Sequence, residues 1–487
     1  MRQHCALALH PGSPGPEIQQ GISLTLTHHS FTMGDDAKAS ASAWRAALVG
    51  AVGNLSVQYN LQAASIALAI IKTSMPPPSW VKYSLLGAVF AGALVGMTCM
   101  GYLGDIVGRR RAMLGTLSLV VLGALVTALG AWGDSLYLVI CLARFIIGVG
   151  VGGIYPLAAA TTAESKSQDS GDPAEDAAAL VRRVGWAFFW QTPGAMMPYV
   201  VASMLLGLPS DTPALESVQL RLVLGLGALP AAFVWVATYM SEESEAFTSS
   251  AAAAAEGLSE KEENHSKHIR TLAGTGLTWL LFDVAFYGTN IFTPQILSAI
   301  FGPSETLGEL CWQSLVVQSM GLPATIVTIW LMAKYSGRSL NMWGFALMAI
   351  SFAGMALLFG AYPSSGDASP AKFALFALIT FSINFGPNVV TYVLPAQLFP
   401  TQVRSRYHGA SAASGKVGAV IGSFMYTPIA NSGQDGLADV MWVQVALCLV
   451  GVGVAYILLP HQAEVETPAG YAEAAEEADD GLLKSAF

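Results

Sequence analysis

Apolar residues in this chain gather into blocks of about 20, separated by short polar breaks, from residue 44 to residue 460. At ~1.5 Å of rise per helical residue, each block is long enough to cross a ~30 Å hydrocarbon layer. Twelve such blocks stand out, at 44–71, 79–103, 112–131, 136–163, 183–207, 219–240, 272–300, 309–334, 339–361, 371–397, 406–427 and 438–460. A charged, alanine-rich stretch, 241–271, divides them into two sets of six. The predicted fold is all-α and polytopic, with twelve transmembrane helices in two six-helix halves, 44–240 and 272–460. The flanks 1–43 and 461–487 are Gly/Pro/Ser-rich and Ala/Glu/Asp-rich, and are expected to be disordered cytoplasmic tails.

Composition agrees with a membrane protein. The chain is 53% hydrophobic and only 11% charged, where a soluble protein carries about 25% charged residues. The net charge of −9 resides mostly in tails and loops, and no basic patch offers a nucleic-acid surface. Cys99, Cys141 and Cys448 lie inside apolar blocks, leaving Cys5 and Cys311, so no disulfide framework emerges. The N-terminus breaks at "HPGSPGP" before any apolar core of a signal peptide. Positive charges mark orientation. With the N-terminus inside, cytoplasmic connections hold Arg109, Arg110, Arg111, Lys166, Arg182, Arg183, Lys334, Arg338, Arg404 and Arg406, whereas the outer side holds only Lys72, Lys82, Arg221 and Lys372. Both termini are therefore expected in the cytoplasm.

The two halves echo each other. "GYLGDIVGRRR" follows the second block and "KYSGRS" follows the corresponding block of the second half. "YPLAAATTAES" ends the fourth, and "YVLPAQLFPTQVRSR" ends the tenth. A 6+6 repeat points to a transporter whose substrate site lies at the midplane between halves. In such a loop Asp105 can pair with an arginine or a helix N-terminus and latch one conformation, so Asp105, Arg109 and Glu164 are candidate gating residues.

"GDIVGRRR" resembles the signature loop of the major facilitator superfamily. "GGIYPLAAATTAES", "WLLFDVAFYGTNIF", "NFGPNVVTYVLPAQLFPTQVRSRYHG" and "SAASGKVGAVIG" resemble its phosphate:proton symporter family over essentially all of 44–460. The resemblance implies the major facilitator fold and secondary active symport of inorganic phosphate. It also implies a pocket formed by Tyr155, Gln191, Trp279, Asp283, Tyr287, Asn388 and Lys416. The residue types suit an oxyanion: Lys416 supplies charge, and Tyr, Trp, Gln and Asn donate hydrogen bonds. No cofactor or metal is implied. The partners are phosphate, a coupling ion and the bilayer, with the plasma membrane as the default location.

Three ionisable residues within the blocks, Arg144, Asp283 and Lys416, carry the candidate chemistry, because each costs roughly 2.5–3.5 kcal/mol to insert at a helix centre. Asp283 beside phosphate is like-charge crowding, so phosphate is expected to bind with Asp283 protonated. By linkage the two then cross together. Asp283 and Arg144 are thus the candidates for proton coupling, against the plainer reading of a structural ion pair. One departure stands out. Where the family carries acids, this chain has Val57, Asn60 and Ile154. That leaves a second possibility, sodium held by the side-chain oxygens of Asn54, Ser56, Gln58 and Asn60. The glycines 148, 150, 152 and 153 are read as a smooth face for neighbouring helices.

Other classes lack their residues. "GASAASGK" has one residue too many for a nucleotide-binding P-loop and is followed by Val417; HExxH and GxSxG do not occur. An enzyme is not expected. An organic-phosphate carrier of the glycerophosphodiester type and a phosphate-sensing receptor are the alternatives.

Overall fold

The computed structural model describes residues 35–74, 78–130, 135–165, 172–205, 213–255, 265–302, 306–363, 366–430 and 436–460. The first half comprises α1 (Asp35–Ser74), α2 (Ser79–Val107), α3 (Arg109–Leu125, extended by a π turn, Val126–Gly130), α4 (Leu136–Glu164), α5 (Pro173–Phe189), α6 (Gln191–Leu205), α7 (Pro213–Gly225) and α8 (Ala228–Tyr239). A short helix, α9 (Glu245–Ala255), lies in the connecting stretch. The second half comprises α10 (His265–Phe301), α11 (Leu307–Ser319), α12 (Gly321–Met332), α13 (Gly337–Ala361), α14 (Ser369–Asn384), α15 (Pro387–Leu398), α16 (Arg404–Ala430) and α17 (Gly436–Leu458). The described residues contain no strand, and their helices make up twelve spans in two sets of six. Of the flanks expected to be disordered, 1–34 and 461–487 lie outside the described residues, as does 256–264 of the connecting stretch.

Four apolar blocks read as single helices are pairs instead: α5–α6, α7–α8, α11–α12 and α14–α15. Proline accounts for each break. Pro193, Pro230, Pro323 and Pro387 have no N–H to give the carbonyl four residues back, so the ladder opens one to three residues before each ring. At the last break Gly386 adopts φ +76°, a conformation open to glycine at little cost. Its N–H is taken up by the Thr328 hydroxyl at 2.9 Å.

Eight helical segments are long and apolar enough by themselves to cross a membrane. The four remaining spans run through α1, α5–α6, α10 and α16. Their hydropathy is diluted by the polar side chains that the centre of the bundle uses.

Small residues bring these helices together. A Cβ on Gly148 would strike the Val89 carbonyl, and one on Gly152 the Ala93 carbonyl, so that face of α4 lies directly on α2. Gly150 does the same toward Val120 and Thr116 of α3, and Gly153 sits between Met100 of α2 and Thr116 of α3. In the second half, Gly418 and Gly422 of α16 lie on the Leu280 and Val284 carbonyls of α10. The halves themselves meet where Gly409 of α16 abuts the Met97 carbonyl of α2. In lipid, where apolar burial gives no advantage, this close backbone approach is what drives helix association.

Gly152→Leu should therefore lower stability by about 1–3 kcal/mol or abolish folding, as overpacking does. Gly115→Ala, at a glycine with open space beside it, should be neutral. Melting temperature and monodispersity in detergent read the difference, and equal behaviour of the two variants would exclude the packing role.

Candidate functional site

All seven pocket residues anticipated from the sequence line one cavity of about 220 Å³ between the halves, joined by Phe188, Phe282 and Phe286. Five elements supply them: Tyr155 from α4, Gln191 from the first turn of α6, Trp279, Asp283 and Tyr287 from α10, Asn388 from α15, and Lys416 from α16. Trp279, Asp283 and Tyr287 are four residues apart and share one helical face. Lys416 is the one cation in the lining. Its Nζ donates to Asp283 Oδ2 at 2.9 Å and to the Tyr287 hydroxyl at 2.8 Å. It also faces the rings of Tyr287 and Tyr155, at 4.3 and 5.6 Å, a desolvated cation–π arrangement. The Tyr155 hydroxyl donates to Gln191 Oε1 at 3.0 Å, and Asn388 donates to Asn384 at 2.8 Å. Gly415 matters here, because a Cβ at that position would come within 2.5 Å of the Trp279 ring and 3.0 Å of Asp283.

A second polar cluster lies at the end of the bundle where α2 meets α3 and α16 begins. Arg109 Nη1 binds Asp105 at 2.8 Å, and its Nη2 binds Glu164 at 2.9 Å. Glu164 also receives Arg404 at 3.1 Å and the Ser244 hydroxyl at 2.9 Å. Arg109 Nη2 reaches the Thr401 carbonyl at 2.6 Å. Asp105 accepts the backbone N–H groups of Ser405 and Arg406, at 3.2 and 2.9 Å, and so occupies the positive end of α16. Glu243 plays the same part for α3, accepting from Arg109 N at 2.9 Å and Arg110 N at 3.1 Å. The turn between α2 and α3 is made by Gly108 at φ +101°, where a Cβ would strike the Glu243 carboxylate.

The cluster thus combines the three anticipated gating residues with Thr401, Arg404, Ser405 and Arg406 of the other half and Glu243 and Ser244 of the connection. Those partners were unrecognised in the sequence because nothing in their spacing ties them to a loop from 134 to 301 residues away.

Arg144 stands apart from both clusters. Eleven residues before Tyr155, it lies three turns away on nearly the same face of α4. It is fully buried, and none of its guanidinium nitrogens has a hydrogen-bond partner among the described residues. The three positions where the family carries acids are absorbed differently. Val57 is fully buried in the apolar core, Ile154 packs against Gly53, and the Asn60 amide donates to the Ser56 and Gly227 carbonyls.

The four-oxygen sodium site does not assemble. At 100° per residue, positions 54 and 58 share one face of α1, while 56 and 60 share the opposite one. Asn54 accordingly donates to Tyr392 of α15, and Asn60 to the α7–α8 junction. One ion cannot touch both faces.

The sequence profile of the family described as "Sugar (and other) transporter" matches residues 46–277 and 281–468. Inorganic phosphate transporter PT2 of Toxoplasma gondii is 34% identical over 414 residues, covering 81% of this chain and 68% of the relative. Inorganic phosphate transporter 1-6 of Oryza sativa is 30% identical over 464 residues, covering 83% and 86%. The chain belongs to the phosphate transporter family of the major facilitator superfamily. It is a multi-pass membrane protein of a carrier family and not an enzyme. Among solved structures, the proton:xylose symporter XylE of E. coli superposes with a TM-score of 0.71 at 17% identity, over 86% of this chain and 96% of that one. That likeness carries the fold alone.

Glu164→Gln should leave Arg109 and Arg404 facing each other without a shared carboxylate, and cost about 3–5 kcal/mol as broken buried pairs do. Thermal unfolding should show part of that loss recovered in Glu164→Gln with Arg404→Gln. No recovery would mean that the two arginines do not depend on Glu164 together.

Proposed function

We propose that this chain carries inorganic phosphate across the membrane by alternating access, together with a proton bound by Asp283. The observation that carries the reading is the Lys416–Asp283 pair. The one cation lining the cavity is held by the carboxylate at 2.9 Å, so an anion gains that charge only when Asp283 is neutralised. Protonation does this, and the binding of phosphate and of a proton becomes mutually favourable. Around the released ammonium stand the phenols of Tyr155 and Tyr287, the Trp279 indole and the amides of Gln191 and Asn388, donors suited to a tetrahedral oxyanion. The names of the relatives support phosphate as cargo.

The rim cluster, closed here, is the cytoplasmic gate. It binds one half to the other through Asp105, Arg109 and Glu164, and it must part for release. Arg144 adds uncompensated positive charge on the outer side of the cavity, which draws an anion inward; with no acid beside it, the proton step falls to Asp283. The distribution of positive loops supports cytoplasmic termini, and the plasma membrane is the assigned location.

Lys416→Ala should reduce phosphate affinity by a factor of at least ten in proteoliposome uptake, and near-normal affinity would reject the pocket. Asp283→Asn should abolish uptake driven by a pH gradient yet retain exchange of internal for external phosphate, since the amide mimics the protonated acid but releases nothing. Wild-type uptake should rise as external pH falls from about 8 to 5 and ignore sodium at fixed potential. Binding without accumulation would identify a receptor instead.

A further inference from the structure

His408 was passed over in the sequence because most histidines lie in the tails, yet it is fully buried in the membrane-spanning α16. We propose that His408 is the residue through which the proton carried by Asp283 leaves toward the cytoplasm. This rests on the coupling role given to Asp283 above and adds the path by which its proton exits.

The placement comes first. At 100° per residue, Arg404, His408 and Gly415 lie within about 40° of one another on α16. Arg404 binds Glu164 in the gate. Gly415 lies against Trp279 and Asp283 in the cavity. His408 therefore stands between the two, about 6 Å of axial rise above Arg404 and about 10 Å below Gly415. Its ring meets Trp279 edge-on, with centroids 5.7 Å apart, and Trp279 lies one turn before Asp283 on the α10 face that lines the cavity. One aromatic side chain separates the imidazole from the carboxyl.

The chemistry follows from the hydrogen bonds. His408 Nε2 lies 3.0 Å from the Tyr392 carbonyl oxygen. A carbonyl only accepts, so Nε2 keeps its hydrogen and Nδ1 is left with a bare lone pair. That Nδ1 has no hydrogen-bond partner among the described residues, although a buried polar atom is ordinarily satisfied. The ring is thus a neutral base with its basic nitrogen free.

When the gate opens, water entering at Arg404 connects the rim to the cavity. The Asp283 carboxylic acid gives up its proton through that water, and Nδ1 takes it to form an imidazolium. The Asp283 carboxylate then recovers its ion pair with Lys416. The imidazolium passes the proton to cytoplasmic water and returns to the neutral ring, still donating from Nε2 to Tyr392. The charged imidazolium is short-lived because Arg404 and Lys416 on its own helix both disfavour it. The Tyr392 ring on α15 lies 5.1 Å from the imidazole; Asp283 on α10 lines the cavity on one side of it, and Arg109, Glu164 and Asp105 form the rim cluster on the other.

A purely structural role is the competing account. Pro395 disturbs the carbonyls one turn earlier in α15, and the Nε2–H of His408 caps one of them. His408→Gln separates the two accounts, because its amide N–H can still reach the Tyr392 carbonyl while the titratable lone pair is gone. In proteoliposomes loaded at fixed internal pH, His408→Gln should lose at least ten-fold in pH-gradient-driven phosphate uptake. Phosphate exchange should stay within two-fold of wild type, and the dependence of uptake on internal pH should flatten. His408→Ala, which also loses the cap, should in addition melt at lower temperature. Wild-type uptake and internal-pH dependence in His408→Gln would overturn the proposal, as would parallel loss of uptake and exchange in a variant of unchanged melting temperature. If wild-type uptake ignores the proton gradient, the coupling role of Asp283 falls and this inference with it. If Asp283→Asn loses driven uptake while His408→Gln keeps it, only the exit path is wrong.

Discussion

A lysine and an aspartate facing each other inside the bilayer set the terms for the rest of this molecule. Either charge alone at a helix centre carries a cost of several kcal/mol. Together they are tolerable only with close geometry and full hydrogen bonding. α10 and α16 must consequently lie nearly backbone to backbone, which Gly415, Gly418 and Gly422 permit, with Tyr155 and Tyr287 presenting ring faces to the ammonium. In the function proposed above, the pair serves as the sensor. It is stable while both ions are present, and it is opened by whatever neutralises one of them.

The gate is built from the same materials with a different outcome. Asp105, Arg109 and Glu164 come from the first half, and Thr401, Arg404 and the N–H groups of Ser405 and Arg406 from the second. Nearly every donor has an acceptor across the divide, so separation of the halves breaks several charge-assisted bonds at once. Multiplicity of this kind favours two discrete states over a continuum of partly open ones. Glu243 and Ser244 bring the connection between the halves into the same cluster. The connection is therefore part of the closing surface as well as a tether.

The neutral residues Val57, Asn60 and Ile154 change how the N-terminal half handles charge. With no acid in the membrane-spanning part of α1 or in the signature of α4, Arg144 has no acidic partner among the described residues. Apolar packing took over two of the vacated positions: Ile154 fills the space against Gly53, and Val57 sits in the core. The first half thus supplies a pocket wall and the Asp105, Arg109 and Glu164 side chains of the rim cluster, while the second holds the buried Lys416–Asp283 pair.

Some of this was legible in residue order. Apolar blocks of membrane length, the repeat between halves and the glycine spacing of α4 are local patterns with direct physical meaning. They determined the span count, and they singled out Asp283 and Lys416, since charge in an apolar block has few bland explanations. The seven pocket residues were legible only through likeness to a family, because they lie on five elements. What the tertiary structure alone decided was contact. It placed Asp105 on the N-terminus of a helix 300 residues away and broke four spans at positions that hydropathy does not mark. It sent Asn54 and Asn60 to opposite faces of α1, and it put a histidine between gate and cavity. Hydropathy averages over a helix and cannot register which face a side chain occupies. Charge pairing in the bilayer, by contrast, depends on that face to within an ångström.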